Sequence, residues 1–195
     1  MKFNRKKCEK AVKKLLESFG EDINREGLIE TPRRVAGYWQ ELLEGNEYTN
    51  QQIADMYSKK FTVKDDTLVV KEVKNVFSHC EHHLALMFNM KVVVAYIPKK
   101  VKDGYQVIGL SKIPRIVEMC SKRLQLQEKL ASDIAECISL ATGSKDIYVN
   151  IIGDHACVSA RGSKSDGFTD VTYLSGSFKT NSDLRNEVER KINVR

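Results

Sequence analysis

The chain has 195 residues, 42% apolar and 30% charged, a balance that suits one globular domain with enough core to need no disulfide staples. Three prolines, 11 glycines and no repetitive tract exclude a collagen-like or wholly disordered chain; the longest strongly apolar stretch, Val92 to Ile97, is far short of a membrane span. The net charge of +6 resides in residues 1–15, where seven basic groups face one acid, Glu9, so the chain carries one basic helix face on a neutral body rather than a nucleic-acid reading surface.

That basic segment is the first predicted element. Cys8, Val12, Leu15, Leu16 and Phe19 recur at helical spacing over residues 5–19, and Gly20 ends the helix. No apolar run follows the N-terminal lysines, so the sequence predicts no secretory leader and a cytoplasmic protein. Thr31-Pro32 reads as an N-cap with proline at the first helical position. Val35, Ala36, Trp39, Leu42 and Leu43 form one stripe, closed by Gly45, and a short third helix fits Gln51 to Tyr57. From Lys60 the character changes, which sets a boundary between a helical region (1–59) and a second unit (60–195). Phe61 to Lys64 and Thr67 to Phe77 read as strands about an Asp65-Asp66 turn, Met87 to Ile97 as a strand ended by Pro98, and Tyr105 to Leu110 as a shorter one. Helices follow from about Ser111 to Lys122 and from about Gln125 to Ala141, the second stopped by Gly143. Ile147 to Ala160 and Phe168 to Phe178 read as strands, and Asn181 to Val194 as a polar helix. Strands grouped around paired helices predict an α+β fold with an antiparallel sheet.

The five cysteines are Cys8, Cys80, Cys120, Cys137 and Cys157. An odd count without a leader argues for a reducing compartment. Cys120 and Cys137 fall in helical patterns and read as small core residues. The other pattern is chemical. The four histidines are His79, His82, His83 and His155, and each lies within two or three residues of Cys80 or Cys157. Thiolate and imidazole are the donors Zn²⁺ prefers. Cys80-x-x-His83 is a compact two-ligand step, and His155 and Cys157, two apart on a predicted strand, are expected to share a face. Four protein ligands would close a structural site; three would leave a position for water. The size of the core, and ligands at strand ends, favour the open option.

Anion-binding groups are also present. Gly109-Leu110-Ser111-Lys112-Ile113-Pro114-Arg115 reads as a strand end turning into a helix, whose free N–H groups and dipole favour an anion. Lys112 and Arg115 share one helical face. Arg34 and Arg161 join them only if the fold makes them converge. Gln127-Glu128 lies on an amphipathic helix; by pattern Glu128 is a surface carboxylate, and its functional alternative is to accept two N–H groups of a guanine edge.

With these residues in view, the chain resembles GTP cyclohydrolase I of the zinc-dependent type. The resemblance rests on Glu30-Thr31-Pro32-Arg33-Arg34-Val35-Ala36, Cys80-Glu81-His82-His83-Leu84, Val94-Ala95-Tyr96-Ile97-Pro98, Gly109-Leu110-Ser111-Lys112 with Arg115, Arg123-Leu124-Gln125-Leu126-Gln127-Glu128-Lys129-Leu130, and His155-Ala156-Cys157 with Arg161-Gly162, all in the family's order. It implies the tunnelling fold, a ββααββ antiparallel sheet with helices on one face, and a homodecamer of two pentamers with active sites between subunits. It implies that GTP and water become formate and 7,8-dihydroneopterin triphosphate, the first step of folate and pterin synthesis. Cys80, His83 and Cys157 would hold Zn²⁺ and supply an activated water for C8 of guanine. His155 and His82 would move protons, Ser111 would lie near the sugar, Gln127 and Glu128 would hold the guanine edge, and Arg34, Lys112, Arg115 and Arg161 would bind the triphosphate.

The chain departs from the family's pattern at Ala85-Leu86-Met87-Phe88-Asn89-Met90, where the family often has a glycine turn; Asn89 is expected to take the left-handed position there. The threonine-rich strand near the C-terminus is reduced to Thr169-Asp170-Val171-Thr172. The competing readings are another tunnelling-fold enzyme, which would not need four cations, and a zinc-stabilised nucleotide-binding module, for which His82 and His155 would be dispensable.

Overall fold

A computed structural model of the chain describes residues 2–193. The basic segment folds as α1, Arg5–Ser18, begun by Asn4, whose side-chain oxygen accepts the Lys7 backbone N–H at 2.9 Å. It buries Val12 and leaves its lysines in solvent, as expected of a solvated face. Helix α2, Thr31–Leu42, differs from expectation at both ends. Thr31 is the first helical residue rather than the cap, and its hydroxyl donates back to the Gly27 carbonyl at 3.4 Å. Gly45 lies in a 3₁₀ turn, Glu44–Glu47, beyond the helix. Its glycine has a long-range reason: a Cβ there would sit 2.1 Å from the Met119 carbonyl oxygen, so the two backbones could not meet. Helix α3, Asn50–Met56, starts in a capping box between Thr49 and Gln52.

The strands are β1 Lys60–Val63, β2 Val69–Cys80, β3 Leu86–Tyr96, β4 Lys99–Val101 and β5 Gly104–Ile108. Then come α4 Lys112–Ser121, β6 Leu124–Gln125, α5 Gln127–Thr142, β7 Ile147–His155, a one-turn helix α6 Ala156–Ser159, β8 Thr169–Leu174, a second one-turn helix α7 Ser177–Thr180, and α8 Ser182–Asn193. Val194, expected in the last helix, lies outside the described residues. The predicted strands Ile147 to Ala160 and Phe168 to Phe178 are therefore too long: each ends early and gives way to a helical turn. Strand β4 after Pro98, and the two-residue β6, were not expected.

Two sheets result. One is small, in the order β1-β5-β4; the other has the order β6-β2-β3-β7-β8. The larger is antiparallel except for β6, which runs parallel to the end of β2. Between β2 and β8 the main sheet with α4 and α5 reads ββααββ, the expected α+β arrangement. No helix among the described residues is long and apolar enough to cross a membrane.

Strand β3 explains the longest apolar run. Val92, Val94 and Tyr96 face Ile113, Ile116, Leu130, Ile134 and Ile138 of α4 and α5, whereas Val93 and Ala95 join Tyr148, Phe178 and Val188 on the other face. A strand covered on both faces is apolar at every position. Helix α5 ends on Gly143, left-handed at φ 76°. Asn89 takes the expected left-handed conformation, at φ 51°, but within a bulge that interrupts β3–β7 pairing, and donates to the Asp154 carboxylate at 2.8 Å.

One buried polar network fastens the first helices to this core. The Arg123 guanidinium donates to the carbonyls of Gly45 and Tyr48, to Asn50, and to Asp133 at 3.0 Å. Asp133 also accepts from Gln125, Lys129 and Asn50. Burial alone would raise the Asp133 pKa, but the hydrogen bonds from Gln125, Lys129 and Asn50 outweigh it and hold the carboxyl below its ordinary value.

Candidate active site

Strand β2 delivers Cys80 at its end, and a tight turn returns the chain to β3. The Cys80 N–H donates to the Ala85 carbonyl at 2.9 Å, the Leu84 N–H to the Cys80 carbonyl at 2.9 Å, and the Glu81 N–H to the Gln125 carbonyl at 3.1 Å. The turn closes through Leu84 at φ 53°, a left-handed conformation that costs a leucine roughly 1–2 kcal/mol. It is held beside His83 by those bonds.

Strand β7 ends at His155, and α6 begins immediately. Cys157 is thus in a helical turn and does not share a strand face with His155. The turn is closed by Ala160 N–H to the Ala156 carbonyl at 3.0 Å and by the Ser159 hydroxyl to the His155 carbonyl at 3.1 Å. That rotation carries Cys157 to the β2 turn. The donor atoms of Cys80, His83 and Cys157 all lie within 4.8 Å of one another, and Cys80 Sγ is 3.8 Å from His83 Nδ1. Ligands about 2.0–2.3 Å from one tetrahedral ion stand roughly 3.5–4 Å apart, so the three atoms need only a small contraction to share an ion. Cys80 is buried, Cys157 half-buried and His83 exposed, which leaves one side open. Burial first, then the neighbouring Cys80 thiol, pushes the Cys157 pKa up. A thiol that resists ionising, crowded by a second thiol, is relieved by a divalent cation.

His155 stands next to this group. Its Nε2 is 2.7 Å from Gln127 Oε1. Burial lowers its pKa, while the Glu128 and Asp154 carboxylates pull the other way, so Glu128 lies close enough to act on this ring. Glu128 itself is exposed, and Gln127 is buried. The Gln127 amide donates to the backbone carbonyls of Ile151 at 2.8 Å and Thr169 at 3.0 Å. His82 is exposed and meets the His83 ring edge-on at 6.2 Å between centroids.

Lys112 and Arg115 lie on the first turn of α4, with Ser111 at the cap position. The Ser111 side chain makes no capping bond. Arg161 is exposed just beyond α6, and its charge pulls the Cys157 pKa down. Arg34 is exposed on α2. Among the described residues none of Arg34, Lys112, Arg115 and Arg161 forms an ion pair with a carboxylate. Among the described residues no hydrogen bond joins Arg34, Lys112 or Arg115 to the cysteine–histidine group.

His79 received no role from the sequence. It is buried, its Nε2 is 2.8 Å from the Tyr38 hydroxyl, and its ring meets Trp39 at 4.8 Å between centroids. It therefore ties α2 to the strand that ends in Cys80. Its place in the histidine cluster was visible, but nothing in the sequence separated it from the other three.

Comparison with known proteins agrees with this geometry. The family model described as GTP cyclohydrolase I matches residues 8–193. The GTP cyclohydrolase 1 of Clostridium acetobutylicum is 47% identical over 191 residues, covering 94% of this chain and 95% of that protein. That of Ruminiclostridium cellulolyticum is 47% identical over 197 residues, covering 96% and 97%, and that of Clostridium beijerinckii is 43% identical over 194 residues, covering 95% of each. A crystal structure of the archaeosine synthase QueF-Like in the apo form has a TM-score of 0.46 at 21% identity, covering 58% of this chain and 98% of that one, a likeness too slight to carry an argument. The family match runs through β2, α4, α5, β7 and α6, the elements that bring Cys80, His83, Gln127, Glu128, His155 and Cys157 together, and the chain belongs to the GTP cyclohydrolase I family.

Proposed function

We propose that this chain hydrolytically opens the guanine imidazole ring of GTP, releases formate and yields 7,8-dihydroneopterin triphosphate, the entry to pterin and folate synthesis. The observation that carries the reading is the open Cys80–His83–Cys157 group beside His155 and Glu128, in a member of this family. The donor set, two thiols and one imidazole with an open side, suits Zn²⁺. Bound there, zinc would act as a Lewis acid and lower the pKa of a water to roughly 7.

The chain's own residues do the rest. His155 moves protons at the imidazole ring of the base, and His82, exposed and not one of the three donors, does so at the ribose, where Ser111 contacts the sugar. Glu128 accepts two N–H groups from the guanine edge and rejects adenine, which presents a different donor pattern. Gln127 is left out of base recognition because its amide is engaged within the chain. Lys112, Arg115 and Arg161 bind the triphosphate, and the absence of ion-paired carboxylates among the described residues leaves them ready for phosphate oxygens. Arg34 joins from α2 of a neighbouring copy.

The proposal includes that assembly, a homodecamer of two pentamers, and a two-part chain of a helical region (1–59) and a catalytic unit (60–195). Leu84, Leu110, Val158 and Phe168, each next in sequence to a segment that carries proposed site residues, are 40–69% exposed; large apolar groups left in solvent are covered when a partner docks. We place the protein in the cytoplasm, with no nucleic-acid or membrane partner. The test is product analysis. GTP given to the purified protein yields formate and a fluorescent pterin in equal amounts, with ATP untouched. GTP bound tightly but recovered intact would instead favour the nucleotide-binding module.

A further inference from the structure

We propose that Gln127 is a positioning residue: it holds the His155 ring in one orientation and one tautomer and makes no contact with the substrate base. The inference deepens the reading above, since it concerns how a proton-transfer group of that site is set, and it rests on that reading for its kinetic part only.

The argument starts from the amide's own bonds. Gln127 is 2% exposed. Its Nε2 lies 2.8 Å from the Ile151 carbonyl oxygen and 3.0 Å from that of Thr169. Backbone carbonyls only accept, so the –NH₂ end must face them and both its hydrogens are engaged. The Oε1 end is thereby turned toward His155 Nε2, 2.7 Å away. An oxygen that only accepts requires a donor opposite it, so Nε2 of His155 carries the proton. Nδ1 is then the ring nitrogen left for substrate. The tautomer is fixed not by a charge but by two carbonyls in neighbouring strands, and the partner that orients one ring nitrogen decides what the other can do.

The position of Gln127 makes this a rigid bracket. It is the first residue of α5 and reaches across the paired ends of β7 and β8, where Ile151 pairs with Val171 and Gly153 with Thr169. His155 is the last residue of β7. A guanine edge contact would require Gln127 to break two bonds to carbonyls that no water could readily replace at a buried site. Glu128, next in sequence, is exposed and makes no such bonds among the described residues, and it is free for the base.

The test reads the tautomer directly. Protein labelled with ¹⁵N-histidine is observed by long-range ¹H–¹⁵N NMR, and the His155 signal is assigned by its loss in His155→Gln. Expected is a proton on Nε2 in the wild-type chain and a mixture of tautomers in Gln127→Leu, with the other histidines unchanged. In turnover of GTP, Gln127→Leu lowers kcat about 10–100-fold, the cost of misplacing a reacting group, with KM within about twofold. Glu128→Gln instead raises KM. A proton on Nδ1 in the wild-type chain would overturn the proposal, as would a Gln127→Leu variant with raised KM and unchanged kcat. The wild-type spectrum decides the tautomer even if a variant does not fold, and it does so whether or not GTP is the substrate.

Discussion

At the scale of single residues, Asp133 shows how far a side chain's setting outweighs its type. It pairs with Arg123 where the two side chains are only 9% and 11% exposed. Removing one partner of a buried pair strands the other, at a cost of roughly 3–5 kcal/mol. We predict a loss of that size for Asp133→Ala in urea unfolding, a larger effect than any surface ion pair here would show. The same carboxyl predicts a pH dependence. Its folded pKa is held below its ordinary value, so the stability it adds is present above about pH 4, the unfolded value. That stability is lost as pH falls further through the folded pKa. Melting temperatures measured from pH 6 down to pH 2 should therefore drop steeply at the acid end for the wild-type chain and less steeply for Asp133→Asn. Equal slopes would remove Asp133 from the account.

At the scale of elements, the periodic pieces were legible and the locally closed ones were not. Helix α1, strand β3 and helix α5 follow from apolar spacing, and Gly143 stops α5 as its position implied. Replacing Gly143 with alanine, at φ 76° and with Lys99 side-chain carbon 3.2 Å from the new methyl, should cost about 1–2 kcal/mol in thermal or urea unfolding. The turn of α6 was missed because Ala156-Cys157-Val158-Ser159 continues the composition of β7 without a breaker. What bends it is a pair of local hydrogen bonds, Ala160 N–H to the Ala156 carbonyl and the Ser159 hydroxyl to the His155 carbonyl, and composition does not report these. Gly45 was misread as a helix stop because its cause is a backbone 74 residues away in sequence, that of Met119. The site divides in the same way. The grouping of histidines with Cys80 and Cys157 was visible as composition, and the structure brings Cys80, His83 and Cys157 together. The partners of Gln127 lie 24 and 42 residues away on β7 and β8, so its place inside the chain could not be read from the helix that carries it.

At the scale of the whole molecule, the proposed site is open to solvent in a single copy. His83 of the Cys80–His83–Cys157 group is exposed, as are Glu128, Arg161, Arg34 on α2, and the apolar side chains of Leu84, Leu110, Val158 and Phe168. We predict that light scattering after size-exclusion chromatography gives the mass of ten chains of 22.2 kDa each. Phe168→Glu should shift the mass to smaller species and lower turnover together, because a charge in a desolvated contact opposes docking. The most direct test of the central claim is metal dependence of turnover. Protein stripped with a strong chelator is assayed for formate and pterin from GTP, then reassayed after zinc is returned, beside Cys80→Ser and His83→Ala. The account predicts that both products vanish on stripping, return with zinc in the wild-type chain, and stay absent in the two variants; formate released at the full rate by metal-free protein would contradict it.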